Sequence, residues 1–169
     1  LYMKASRLQV YDSISISVFI VITVLCVMRD YTILVGVIIS TGLVAFFKKL
    51  TTGMYPSIFK RPNGAVDCNA TNTGGCCQKL SGFPSGHMGQ ITVIMQLLLL
   101  RNMSNTWFIN ILFYIPILLV GYSRYMKKCH TLIQITIGFM LGYVIANTLY
   151  KYDHQIKEKI EEILSSIWR

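Results

Sequence analysis

Charge is what this sequence has least of. Only 14% of its 169 residues are Asp, Glu, Lys or Arg, against 53% hydrophobic residues and a mean hydropathy of +0.52. That balance excludes an ordinary soluble domain and points to a membrane protein. Acidic residues are the scarcer sign, seven against sixteen basic ones, which leaves a net charge of +9. The apolar runs leave no soluble surface for a groove-reading module, so nucleic acid is excluded as a partner despite the basic balance. Basic loops between apolar runs meet lipid phosphates instead. Internal repeats and low-complexity tracts are lacking, and so is any paired Cys-x-x-Cys spacing of the kind that marks structural zinc. The chain starts at Leu1 without a charged leader and a small-residue cleavage site, and the expectation is that sequence ahead of it is missing.

Long apolar runs are what the sequence has in plenty. Five stand out: Ser13 to Met28, Tyr31 to Phe47, His87 to Leu100, Trp107 to Tyr122 and Thr131 to Tyr150. Each is read as a transmembrane helix, its ends extended into polar flanks to make up the length that a bilayer demands. The expected fold is therefore all-α, a polytopic membrane helical bundle of about five transmembrane helices. The third run is the shortest, and a buried or re-entrant helix is its alternative reading. Tyr31, Trp107, Tyr122 and Tyr150 sit at run ends, as an interfacial belt requires, and Pro116 should bend the fourth helix.

If all five runs cross, the loop Lys48 to Gly86 and the loop Ser123 to His130 share one face with the N-terminus. Arg29, Asp30, Arg101 and the tail share the other. The chain divides into a transmembrane domain, 1–150, and a tail, 151–169, that places Ile156, Ile160, Ile163, Leu164 and Ile167 at helical spacing. This amphipathic helix either lies on the bilayer or its own bundle, or docks a protein partner.

The first face also collects the polar residues that carry chemistry. Lys60-Arg61-Pro62 stands in the long loop, Phe83-Pro84-Ser85-Gly86-His87 opens the third run, and Ser123-Arg124 is followed after five residues by His130, which opens the fifth. Segments far apart in sequence that return to one side of a membrane are what an active site needs. They resemble the three signatures of the type 2 phosphatidic acid phosphatase family, whose relatives include vanadium haloperoxidases: Lys, six residues, Arg-Pro; then Pro-Ser-Gly-His; then Ser-Arg, five residues, His, three residues, Asp. The resemblance implies that His130 is the nucleophile and takes the phosphoryl group as a phosphohistidine, and that His87 protonates the leaving alkoxide. It implies that Arg61 and Arg124 clamp the equatorial oxygens, with Lys60, Ser85, Gly86 and Ser123 completing the binding site. It requires no cofactor and no metal. Elementary chemistry agrees, since phosphoryl transfer spreads negative charge that arginine forks and a helix N-terminus can hold.

Two positions depart from the pattern. Met54 stands where the family's first lysine belongs, so that Lys48, Lys49 or Lys60 would have to substitute. Gln134 stands where its aspartate belongs, four residues after His130 and on the same helix face. An amide can accept the imidazole N–H but cannot stabilise an imidazolium by charge, so Gln134→Asp combined with Met54→Lys is expected to raise activity. The expected function is hydrolysis of a membrane lipid phosphate or pyrophosphate. The alternative is a family member without turnover that binds lipid phosphate or serves as a structural component of an assembly. Cys68, Cys76, Cys77 and Cys129 lie on the same face as the site. At least one pair among them is expected to be a disulfide if that face is extracytosolic, with Cys76 and Cys77 bonded elsewhere than to each other. A zinc site using Cys129 and His130 is the rival reading of two of these residues. Asn69-Ala70-Thr71 and Asn102-Met103-Ser104 are glycosylation sequons on opposite faces.

Overall fold

In a computed structural model of the chain, the described residues are 30–54, 56–65, 68, 81–103 and 106–167, together with Ile20 and Val24. Among them every regular element is helical: α1 Tyr31–Thr51, α2 Gly86–Arg101, α3 Trp107–Leu112, α4 Ile115–Met126, α5 Leu132–Lys151 and α6 Asp153–Ile167. The first apolar run lies outside the described residues except for Ile20 and Val24, both helical. Among the described residues, three segments are long and apolar enough to cross a membrane: α1, Trp107–Met126 (α3 and α4 taken together) and α5.

The break between α3 and α4 falls at Phe113 and Tyr114, with Pro116 in the first turn of α4. Proline has no N–H to give the carbonyl four residues back, so the helix is interrupted where the sequence places the residue. At 16 residues, α2 is shorter than α1 with 21 and α5 with 20, and it occupies the centre. Ile91, Val93, Ile94 and Leu97 are fully buried on it. A helix apolar on all sides is one that neighbours surround.

Those neighbours are α1, α4 and above all α5. Contact with α5 is made backbone to backbone: a Cβ on Gly138 would strike the Ser85 carbonyl, and one on Gly142 the Gly89 carbonyl. Small residues four apart let helices approach this closely where no hydrophobic force drives them together. The C-terminal ends of α1 and α4 and the N-terminal ends of α2 and α5 thereby meet at one end of the bundle.

At the other end, Arg101 closes α2 by pairing with both Asp30, the N-cap of α1, and Asp153, the first residue of α6. Lys157 adds a contact to Asp153 at 2.9 Å. The tail helix runs from Asp153 to Ile167; Ile156 packs on the core, while Ile163 and Ile167 stay exposed. Arg101 is only 15% exposed in its side chain, and so are its Asp30 partner's atoms. Removing it leaves two carboxylates without their shared cation, and Arg101→Ala is expected to destabilise the protein by roughly 3 kcal/mol. A thermal melt in detergent measures this, and an unchanged melting temperature would contradict the clamp.

Candidate active site

Each residue of the candidate site is delivered by the start or end of a helix or by the loop between α1 and α2. The turn into α5 is held by a capping box: the Thr131 hydroxyl accepts from Gln134 N at 3.3 Å, and Gln134 Oε1 accepts from Thr131 N at 3.2 Å. This fixes His130, one residue before the cap. Its Nδ1 lies 2.9 Å from the Gly82 carbonyl and 3.3 Å from Gln134 Oε1. Both partners are acceptors, so Nδ1 carries the hydrogen and Nε2 keeps its lone pair.

Four groups act on that ring. Burial pushes His130 well below the ordinary histidine range, and the charges of Arg61, Lys48, Arg124 and His87 follow in that order. Arg61, His87, Arg124 and His130 therefore share one region, which also brings in Lys48. Arg124 is 1% exposed and His130 2%. Arg61 reaches across the loop to donate from Nη1 to the Cys129 carbonyl at 2.9 Å. Ser85 is the N-cap of α2 and wholly buried, its N–H given to the Gln134 carbonyl at 3.1 Å. The Ser85 hydroxyl has no hydrogen-bond partner among the described residues.

Several of the expected residues are placed differently from the family pattern. Met54 is exposed. Lys48, in the last turn of α1, supplies the third cation instead, its Nζ 3.9 Å from the point where a Cβ on Gly86 would lie. Lys60 has an exposed side chain and contributes its carbonyl, which accepts from Gln134 Nε2 at 2.8 Å. Ser123 donates its hydroxyl to the Val120 carbonyl of its own helix at 3.2 Å. Lys127 is buried, and that burial lowers its pKa, while its neighbour Lys128 is exposed.

Cys68 and Cys129 are disulfide-bonded, with Cα atoms 5.4 Å apart. The bond removes Cys129 from any zinc site and ties the loop directly to the residue before His130. Cys76 and Cys77 lie outside the described residues, as does the Asn69 sequon. Among the described residues, no group of three or more His, Cys, Asp or Glu side chains gathers to hold a metal.

A family model of the PAP2 superfamily matches residues 30–158, more than half of the chain. The protein belongs to the PAP2 superfamily. Neither a curated protein nor a solved structure matches it. In this PAP2 chain Gly82 is the residue that motif reading passed over. It accepts from His130, its N–H donates to the Phe59 carbonyl at 2.9 Å, and a Cβ on it would overlap Gln134 Oε1 and crowd Arg61 Cγ. No local signal marks it, because its partners come from two distant segments, 59–61 and 130–134. The capping box at Thr131 and Gln134 was legible as Thr-x-x-Gln.

Gln134 is held by four partners and cannot yield cheaply to a methyl group at position 82. Gly82→Ala is expected to cost about 1–3 kcal/mol as an overpacked site, read as a lowered melting temperature in detergent; an unchanged melt would contradict this packing. The buried neutral His130 adds a pH dependence. The unfolded chain takes up this proton near pH ~6.5, the folded one only well below, so stability falls as pH drops below about 6.5. Melts from about pH 7 to about pH 5 should show this decline, and His130→Asn should make it shallower.

Proposed function

We propose that the protein is a multi-pass membrane phosphatase that hydrolyses a lipid phosphate or pyrophosphate through a phosphohistidine on His130. The observation that carries this reading is the Nδ1–H of His130 held by the Gly82 carbonyl, which leaves Nε2 as a nucleophile beside His87 and three cations. Superfamily membership supports phosphatase chemistry in general; the lipid substrate and the role of each residue are the proposal.

The geometry supports the following steps. Arg61, Arg124 and Lys48 bind the phosphoryl oxygens, and the N-terminus of α2, with the Ser85 hydroxyl, donates to them. His130 Nε2 attacks phosphorus; the N–P bond forms as the ester P–O bond breaks, and the leaving alkoxide takes a proton from His87, which enters the step as the imidazolium after taking a proton from the bound phosphate monoanion. Water then gives a proton back to His87 and attacks phosphorus. The N–P bond breaks, releasing inorganic phosphate and restoring the His130 imidazole and the protonated His87.

A cavity of about 730 Å³ has His130 in its lining together with Tyr125, Met126, Lys128, Leu132 and Ile133. It supports a substrate whose apolar part lies along α4 and α5 while its phosphate reaches the cations. The Cys68–Cys129 disulfide supports an orientation that puts the site in an oxidising compartment.

Gln134, where the family has a carboxylate, favours a second reading, a phosphate binder without turnover. Phosphate release from a panel of lipid phosphates, with protein purified in detergent and EDTA present, separates the two. The phosphatase reading expects release that His130→Ala abolishes and an acid-labile phosphoprotein after rapid quenching. Phosphate binding with no release from any lipid would install the binder instead. Ile133→Trp, which fills the cavity, is expected to raise KM for a long-chain lipid phosphate while leaving that for p-nitrophenyl phosphate unchanged; equal effects on both would remove the cavity from the substrate path.

A further inference from the structure

The side chain of Gln134 is wholly buried, and every hydrogen-bonding position of its amide is occupied. Nε2 donates to the Ile58 carbonyl at 2.9 Å and to the Lys60 carbonyl at 2.8 Å. Oε1 accepts from Thr131 N at 3.2 Å and lies 3.3 Å from His130 Nδ1. Two donors and two acceptors are all that a primary amide has. Both donors go to the loop that carries Arg61, and both acceptor contacts go to the turn that carries His130.

We propose that Gln134 is a positioning residue that locks the Arg61 loop onto the His130 turn, and that in this chain the Gly82 carbonyl performs the imidazole-holding task that the family gives to a carboxylate. A carboxylate at 134 would have no hydrogens for the Ile58 and Lys60 carbonyls. It would leave two acceptors unsatisfied and set a negative charge against them. Gln134→Asp therefore lowers phosphate binding and release, the opposite of the outcome expected from the motif alone. Arg61 is affected through its backbone: the residue before it loses its anchor, and the guanidinium loses its register on the Cys129 carbonyl. Arg124 comes from α4 and does not depend on this lock.

The proposal rests on the phosphate site of the preceding reading, and its test separates the two. In the full-length protein in detergent, affinity for inorganic phosphate is measured for wild type, Gln134→Leu, Arg61→Ala, Arg124→Ala and the two double variants, alongside hydrogen exchange of segment 56–62. Gln134→Leu should release that segment to exchange while α2 and α5 remain protected. Arg61→Ala should weaken phosphate binding by on the order of tenfold in wild type and by little once Gln134 is Leu, whereas Arg124→Ala should cost the same in both backgrounds. A merely structural role would lower the melting temperature and make both arginine effects multiply independently with that of Gln134. Independent multiplication, an unchanged exchange rate in 56–62, or a rise in phosphate release with Gln134→Asp would each overturn the lock. If wild type binds no phosphate and segment 56–62 is still released in Gln134→Leu, the lock stands and the phosphatase reading alone fails.

Discussion

The approach of α5 to α2 at Gly138 and Gly142 sets the geometry of everything else in this protein. With only hydrogens between them, the two helices touch through backbone, and their N-termini come level at one end of the bundle. Ser85, just before α2, then gives its N–H to the Gln134 carbonyl in the first turn of α5. His87 and His130 sit on either side of that contact. A larger residue at either glycine would part the helices and with them the two imidazoles.

The end of the bundle so formed is electrostatically one-sided. Lys48, Arg61 and Arg124 crowd around His130 at the end of an apolar bundle, where burial strengthens their mutual repulsion. Such a concentration favours a neutral imidazole and favours an anion in the space that the cations face. The same arrangement serves nucleophilic attack on a phosphoryl group and its tight retention. Chemistry and binding thus differ here in the handling of protons and not in the recognition of charge.

The loop between α1 and α2 is held to this end by several bonds of different kinds. The Cys68–Cys129 disulfide, the Arg61 bond to the Cys129 carbonyl, the Gly82–Phe59 backbone bond and the Ser81–Thr51 hydroxyl contact at 2.7 Å all converge on it. Gln134 adds two more bonds to the loop from the turn that carries His130. Its amide gives the Ile58 and Lys60 carbonyls two hydrogens that a carboxylate would lack.

The membrane class, the helical bundle, the interruption beside Pro116 and the spacing of the three signature segments were legible in the sequence. Each depends on hydrophobic length or on residues a few positions apart, which local geometry translates directly. The capping box at Thr131 and Gln134 is local in the same way. Which lysine replaces the one absent at Met54, which of the cysteines pair, and what holds the His130 N–H were decided only by the fold. Lys48, Cys68 and Gly82 reach the site from positions 82, 61 and 48 residues before His130 or its neighbour Cys129. Distances of that kind are set by the path of a loop across packed helix ends, and no periodicity in the chain encodes them.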